Sequence, residues 1–516
     1  MTTLYVDDFK SGLDVRKSIL TAKPGSLQTL DNCVVSAGGE IVKAMAMVPI
    51  LTLPAGTKGM FGTSDATTGN PLVWVFAEAV PATPNNYGPG HGDFLATIST
   101  ITPAQAVLVA QGSAAYKDQP ITIARYRLQV GTIGETVSTV LSVEEYGPHS
   151  FFVVANITMP PVGNTPGALV LRNWYNGAVL THQIGTGPLI NGGKMYRVSG
   201  SVVYFSGVGD PSAWNPLDPT GLLPNTVNPG AGFIDLALLS SAAFPLIGAE
   251  QYFKQVALFG RYSTFLFAMD PNPANNLLQQ VLHTGAISPE TVLPFGSGDV
   301  LFLSDIGVRS LRVQNLTFSA GVEDVGSPVD LLVQAKLASS PYAVPRAIVD
   351  PLTGRYWLAI GNTIFILSYW PSARINAWST INLPANIDAM CVAGLRIFVR
   401  CGDVIYLYGG PDGATYDTAP ATVVTPFMSA DTPTTRKKTI SIGAMIQGNW
   451  ALSIGMQTDN PALYELAANL SGNTYSEQML PFAGNGTHIS FKLTTSDASP
   501  ALLGAVSVRF EKTIEE

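Results

Sequence analysis

Asp210, Asp299, Asp305, Asp350, Asp388 and Asp403 stand in or beside turns along the chain. A carboxylate does acid–base work only when a partner group is positioned beside it. The same group also serves a turn, by accepting N–H bonds from its own backbone. The stretch SVVYFSGVGDPSAWN, from Ser201 to Asn215, is the sharpest case. Val202 to Phe205 are strand formers, and Gly207 and Gly209 permit a tight exit. An Asp-Pro pair then starts a helix, the carboxylate capping orphan N–H groups and Pro fitting the first position. Asp210-Pro211-Ser212-Ala213 is therefore expected to form one helical turn that returns Trp214 to the sheet. That capping role accounts for Asp210 without catalysis.

The other chemistry-bearing residues form no motif. None of His91, His149, His182, His283 and His488 stands four residues from another, so no HExxH zinc motif exists. His283, before Thr284-Gly285, reads as a packed loop residue. Gly185-Thr186-Gly187-Pro188 is Gly-rich but lacks the Lys-Ser/Thr that would meet phosphates. The cysteines are Cys33, Cys391 and Cys401, with no CxxC pair. A hairpin turn at Ala393-Gly394 would set Cys391 and Cys401 roughly 17 Å apart, too far for a disulfide. Reduced thiols in a reducing cytosol are expected. The expectation is a chain with no catalytic site, cofactor or bound metal.

The elements that would position these residues are strands. Of 516 residues, 46% are hydrophobic and only 12% are charged, about half the usual charged share. Gly (50) and Pro (37) are plentiful, as many short strands joined by turns require. The sparse charge predicts that much of the exterior is covered by other chains. The net charge is −8, and Arg436-Lys437-Lys438 is the only basic run. Sequence-specific DNA binding is not expected, although an acidic wall lets DNA pass without gripping it. MTTLYVDDFKSG has no basic start or apolar core, so no signal peptide is expected. The apolar stretch Phe233 to Ala249 is too short and interrupted to span a bilayer.

One pattern recurs: an apolar strand, a turn, and a second apolar strand. It begins at Met195, Gln255, Asp299, Arg355 and Leu395, with turns at Ser199-Gly200, Gly260-Arg261, Asp305-Ile306-Gly307, Gly361-Asn362 and Gly402-Asp403. The turns recur every ~40–60 residues, which brackets the period of a four-stranded propeller blade. The predicted class is all-β: a β-propeller core with inserted and C-terminal β-sandwich-like domains. A pair of β-sandwiches also fits short strands with regular turns. The expected divisions are an N-terminal arm and closing strand (1–55), a first blade region (56–129), an inserted β domain (130–190), the remaining blades (191–430) and a C-terminal β-sandwich (431–516). Short helices are expected near Pro328 to Ala338 and Ala462 to Leu470.

Three segments resemble a known family. HTGAISPETVLPFGSGDVLFLSDIGVRSL, from His283, carries Gly285, Pro289 and Val292, then Gly307, Val308, Arg309, Ser310 and Leu311. It resembles the tail nozzle proteins of short-tailed bacteriophages, the tail tubular protein B or tail stabilisation type. VVYFSGVGDPSAWN is similar to that family's strand followed by Ser-x-x-Gly-Asp-Pro-x-x-Trp. PGSLQTLDNCVVSAGGEIVKA, from Pro24, is similar to its opening segment, but Ala44-Met45-Ala46 replaces the usual Arg-Pro or Arg-x-Gly. Together they span about residues 24 to 311. The resemblance implies a structural turn motif at Asp210, Pro211, Trp214, Gly307 and Arg309. It also implies a homo-hexameric tube below a tail adaptor ring, carrying tail fibres or spikes. Phage DNA would leave through the lumen, and the tube would meet the host outer envelope during ejection. The alternative is a tail-associated receptor-binding or glycan-degrading β-propeller protein. A cellular binding propeller is a third reading.

Overall fold

The computed structural model describes residues 2–22, 24–64, 70–77, 93–98, 121–127, 136–145, 151–158, 168–173, 179–181, 189–191, 193–210, 214, 230–238, 245–317, 324–430, 433–474 and 479–513. The protein is mostly β. No described helix is long and apolar enough to cross a membrane.

Seven three- or four-stranded units follow one another along the described chain, six of them separate sheets and one the end of a fourteen-stranded sheet. The first holds Thr57–Ser64, Pro71–Ala77, Asp93–Ile98 and Ile121–Arg127, and includes one parallel pair. The second runs from Thr136–Glu145 to Val179–Thr181, the third from Leu189–Asn191 to Gly232–Asp235, and the fourth from Leu246–Tyr252 to Leu277–Leu282. The fifth has three strands, Leu293–Phe295, Asp299–Ser304 and Gly307–Ser310. The sixth, from Arg346–Val349 to Ile375–Asn382, is the end of the fourteen-stranded sheet. The seventh joins Ala389–Ala393, Arg396–Cys401 and Val404–Tyr408 to a strand from the other end of the chain, Met47–Thr52. The four strands described between Thr136 and Thr181 form a sheet of the same four-stranded kind as the third and fourth.

The sheets meet through their first strands. Thr57–Ser64 lies against Thr136–Glu145 on one side and Ala389–Ala393 on the other. Ala389–Ala393 meets Arg346–Val349, which meets Leu293–Phe295, which meets Leu246–Tyr252, which meets the third sheet. Apolar layers fill the junctions. Val198, Val203 and Phe205 pack with Val256, Leu258 and Phe265 between the third and fourth sheets. Met60, Val73 and Ile123 pack with Cys391, Phe398 and Ile405 between the first and seventh. Central strands such as Gln255–Gly260 are buried on both faces, which is why they read as continuous apolar runs rather than alternating ones.

The rest of the fourteen-stranded sheet unites the two ends of the chain. Arg436–Gly455 is its spine, pairing in turn with Glu465–Thr474, Leu480–Gly486, Ser490–Thr495 and Leu502–Thr513. Two register shifts and Gly448, at φ +82, let this long strand bend. Thr2–Val6 and Ile41–Lys43 pair with Leu502–Thr513. Thr29–Asp31 links Ala421–Val424 to the sixth sheet through Asp31 and Thr380.

Two short helices matter for the site: α1 (Leu311–Thr317) and α2 (Asp330–Ser339). The second matches the helix expected near Pro328. The helix expected near Ala462 to Leu470 is instead the strand Glu465–Thr474. Its helix-forming Glu, Leu and Ala residues are overridden by pairing along the spine strand. The hairpin expected at Ala393-Gly394 is shifted by one residue. Ala393 faces Arg396 and Cys391 faces Phe398, with Gly394 at φ +58 in the first turn position. That places Cys391 and Cys401 three ladder positions apart, about 10 Å, and both thiols are free.

Candidate functional site

The recognisable segment around Gly307 folds as a latch between the fifth sheet and α2. Gly307–Ser310 is the last strand of that sheet, and all four residues are buried. An arginine buried in an apolar sheet needs a counter-charge. Asp330, the first residue of α2, supplies it. Arg309 Nη1 donates to Asp330 Oδ1 at 2.9 Å and Nη2 donates to Oδ2 at 2.8 Å, a bidentate pair. The same nitrogens donate to the carbonyls of Val308 (2.7 Å) and Ile306 (3.2 Å). Gly307 has φ +129, and a Cβ there would stand 1.8 Å from Asp330 Oδ1. The glycine is what lets the carboxylate reach the guanidinium.

A second carboxylate extends the latch. Asp324 accepts from Ser310 N at 3.1 and 3.2 Å, from Gln314 Nε2 at 2.8 Å and from Val325 N at 2.6 Å. Burial pushes its carboxyl above the usual range, and these hydrogen bonds only partly offset that. Asp299 accepts Ser310 Oγ at 2.6 Å and Arg312 N at 3.0 Å, fixing the start of α1. Trp378 Nε1 donates to Val325 O at 2.7 Å, tying the latch to the sixth sheet.

The Asp210 segment lies apart from this, on the third sheet, with the fourth sheet between. Asp210 is exposed and forms an isolated bridge with Gly207 across Gly209, at φ +72. Pro211, Ser212 and Ala213, and with them the expected helical turn, lie outside the described residues. Trp214 is half-buried rather than sealed in a core. The structure therefore does not bring the two halves of the turn motif together.

The remaining turn aspartates are engaged locally. Asp305 pairs with Arg261 at 2.8 Å, joining turns of the fourth and fifth sheets. Asp350 accepts Leu352 N at 3.0 Å within its own turn. Asp388 Oδ2 accepts Gly402 N at 2.5 Å, and Asp403 lies 3.5 Å from Arg400. His283 is exposed, not packed. It follows the last residue of the edge strand Leu277–Leu282. Among the described residues no three His, Cys, Asp or Glu side chains are grouped to hold a metal.

Other buried cations staple neighbouring sheets, and sequence inspection missed them. Arg400 donates to the carbonyls of Thr57 and Gly59, both at 2.8 Å, and to Gly402 O at 2.7 Å, fastening the seventh sheet to the first. Arg346, on the sixth sheet, holds Glu290 at the entrance to the fifth. Burial raises the Glu290 carboxyl, and Arg346 opposes that shift. An available signal was the placement of arginines inside apolar strands, since each must find an acceptor.

No protein-family model matches the chain, and no curated protein matches it. Its fold is similar to a chain in a mitotic checkpoint complex, at 11% identity and TM-score 0.35, covering 79% of this chain and 93% of that one. It is also similar to an exo-β-1,3-galactanase from Phanerochaete chrysosporium, at 10% identity and TM-score 0.24, covering 64% and 96%. A third is the computationally designed Ika8 protein, at 9% identity and TM-score 0.27, covering 52% and 83%. Scores this low transfer no activity to this chain.

Proposed function

We propose that this chain is a structural virion protein, a β-propeller that forms the distal nozzle of a short phage tail. One observation carries the proposal: the residues shared with nozzle proteins are spent on holding sheets together. A Cβ on Gly285 would stand 2.0 Å from Gly260 O, so the backbones of successive elements touch there. Pro289 lies against Gly248, where a Cβ would meet it at 3.5 Å. Val292 is buried between the fourth and fifth sheets. Gly307 and Arg309 form the latch to α2. Within Gly285 to Arg309 these residues hold backbones, core and helix in place, which belongs to an architecture rather than to a reaction.

Seven such units meeting mostly through their first strands fit a propeller, with Met47–Thr52 closing the last blade. Exposed apolar side chains fit a chain covered by copies and partners: Leu238 is 83% exposed and Leu316 is 72% exposed. In this reading six copies form a tube below the adaptor ring, with fibres or spikes at its side. DNA passes without sequence-specific contacts, because a net charge of −8 repels phosphate rather than holding it. The test is co-expression with the adaptor protein of the same genome, followed by electron microscopy of the purified complex. Six-fold rings seated on the adaptor are expected. A chain that never associates with the adaptor overturns the reading.

A further inference from the structure

We propose that the connection between the sixth and seventh sheets carries a binding cleft for a neutral saccharide. The proposal does not depend on the nozzle reading. Two clefts, of about 360 and 390 Å³, meet there and share Arg346 and Asp388 as a common wall. Each falls in the range of small-ligand sites. The first lies between the loop after α2 and the segment leading into Ala389–Ala393. Three features identify its ligand class.

The first is an aromatic platform. Tyr342 lines the cleft and is 98% exposed, between Pro341 and Ala343. An isolated ring with both faces bare and a polar tip suits stacking on a sugar's C–H face. The second is a set of planar polar groups with unused capacity. Asp388 accepts one backbone N–H through Oδ2 and shares the field of Arg400, while no hydrogen bond to its other oxygen forms among the described residues. The exposed Asn386 side chain likewise has no partner among them, leaving two donors and an acceptor. Glu290 engages only one end of the Arg346 guanidinium. Carboxylate, amide and guanidinium on one cleft are complementary to adjacent hydroxyls, each of which both donates and accepts.

The third is charge balance. The first cleft holds one cation, Arg346, and one anion, Asp388. The second adds Lys58 and Arg400 against Asp403, while Glu290 already pairs with Arg346. Counted together these are three positive and three negative groups. Such a cleft has no net pull on a phosphate or sulfate polymer. Its walls mix polar groups (Ser339, Ser340, Asn386, Asp388) with apolar ones (Pro341, Val344, Ile387), as the amphipathic surface of a sugar ring requires.

Saturation-transfer NMR on the full chain tests this, with maltohexaose, laminarihexaose, mannohexaose and galactohexaose as probes. At least one is expected to receive saturation at its ring protons. Tyr342→Ala and Asn386→Ala should each weaken that binding at least tenfold. Both residues are exposed, so the thermal midpoint should not move. Absence of transfer to all four probes, or undiminished binding in both variants, would overturn the proposal. Tighter binding of heparin fragments than of every neutral probe would also overturn it, by showing that charge governs recognition.

Discussion

Arg309 and Gly307 illustrate how much one residue's role depends on a partner distant in sequence. Their types were visible in the chain, but Asp330, which gives both their purpose, was not singled out. The clue was available: a buried arginine demands an acceptor, and Asp330 opens a helix that the sequence did predict. Gly307→Ala is expected to drive a methyl into the Asp330 carboxylate and lower stability by roughly 2 kcal/mol or more. Asp330→Asn should cost about 3–5 kcal/mol, because it leaves Arg309 buried without its counter-charge. Urea denaturation of both variants measures this; wild-type midpoints would show that the latch carries no stability. Glu250 makes a pH-dependent case. Burial raises its carboxyl pKa, and among the described residues it accepts only the N–H of Gln251, at 2.7 Å. The folded state therefore holds this proton more tightly than the unfolded chain does. The stabilisation is full below the ordinary glutamate pKa and is lost as pH rises through the raised folded value. Glu250→Gln is expected to flatten that decline and to raise stability at neutral pH. A thermal-melt series from pH 4 to 8 that superimposes on wild type would contradict it.

At the scale of elements, the hairpins were the most legible part of the sequence. Gly361-Asn362 and Gly402-Asp403 lie in the turns read for them, since Ile360 faces Thr363 and Cys401 faces Val404. Registers were less legible. Gly394 supplies positive φ from the first turn position rather than the second, and that moved every pairing along Ala389–Ala393 by two residues on the partner strand. Glu465–Thr474 was misread because its composition favours helix while its partner strand dictates extension. The closing strand carries the clearest prediction at this scale. Met47–Thr52 covers Val404–Tyr408, and Pro49 is tolerated there at a register shift. Removing residues 1–52 should uncover the edge beside Ile405 and Leu407, both fully buried. The truncated chain is expected to aggregate or to be cleaved rapidly by trypsin near Arg396 and Arg400. A monomeric, protease-resistant product would show that the seventh sheet closes without that strand.

For the whole molecule, the sequence indicated an all-β chain but not how its ends meet. Lys43 shows why. It is almost fully buried, and its ammonium donates to Asp417 O at 2.8 Å and Asp497 O at 2.6 Å, hundreds of residues away. Such carbonyl acceptors have no sequence signature, so the union of the N-terminal arm with the C-terminal sheet was illegible. The structural turn motif was legible as residues but not as one site, because its halves belong to different sheets. The central claim, a nozzle at the end of a short tail, concerns where the protein sits in a particle. Immunogold electron microscopy of virus particles from the source lysate, with an antibody against this chain, tests it most directly. Label confined to the tip of the short tail is the expected result. Label on peripheral fibres, or on no particle at all, would contradict it.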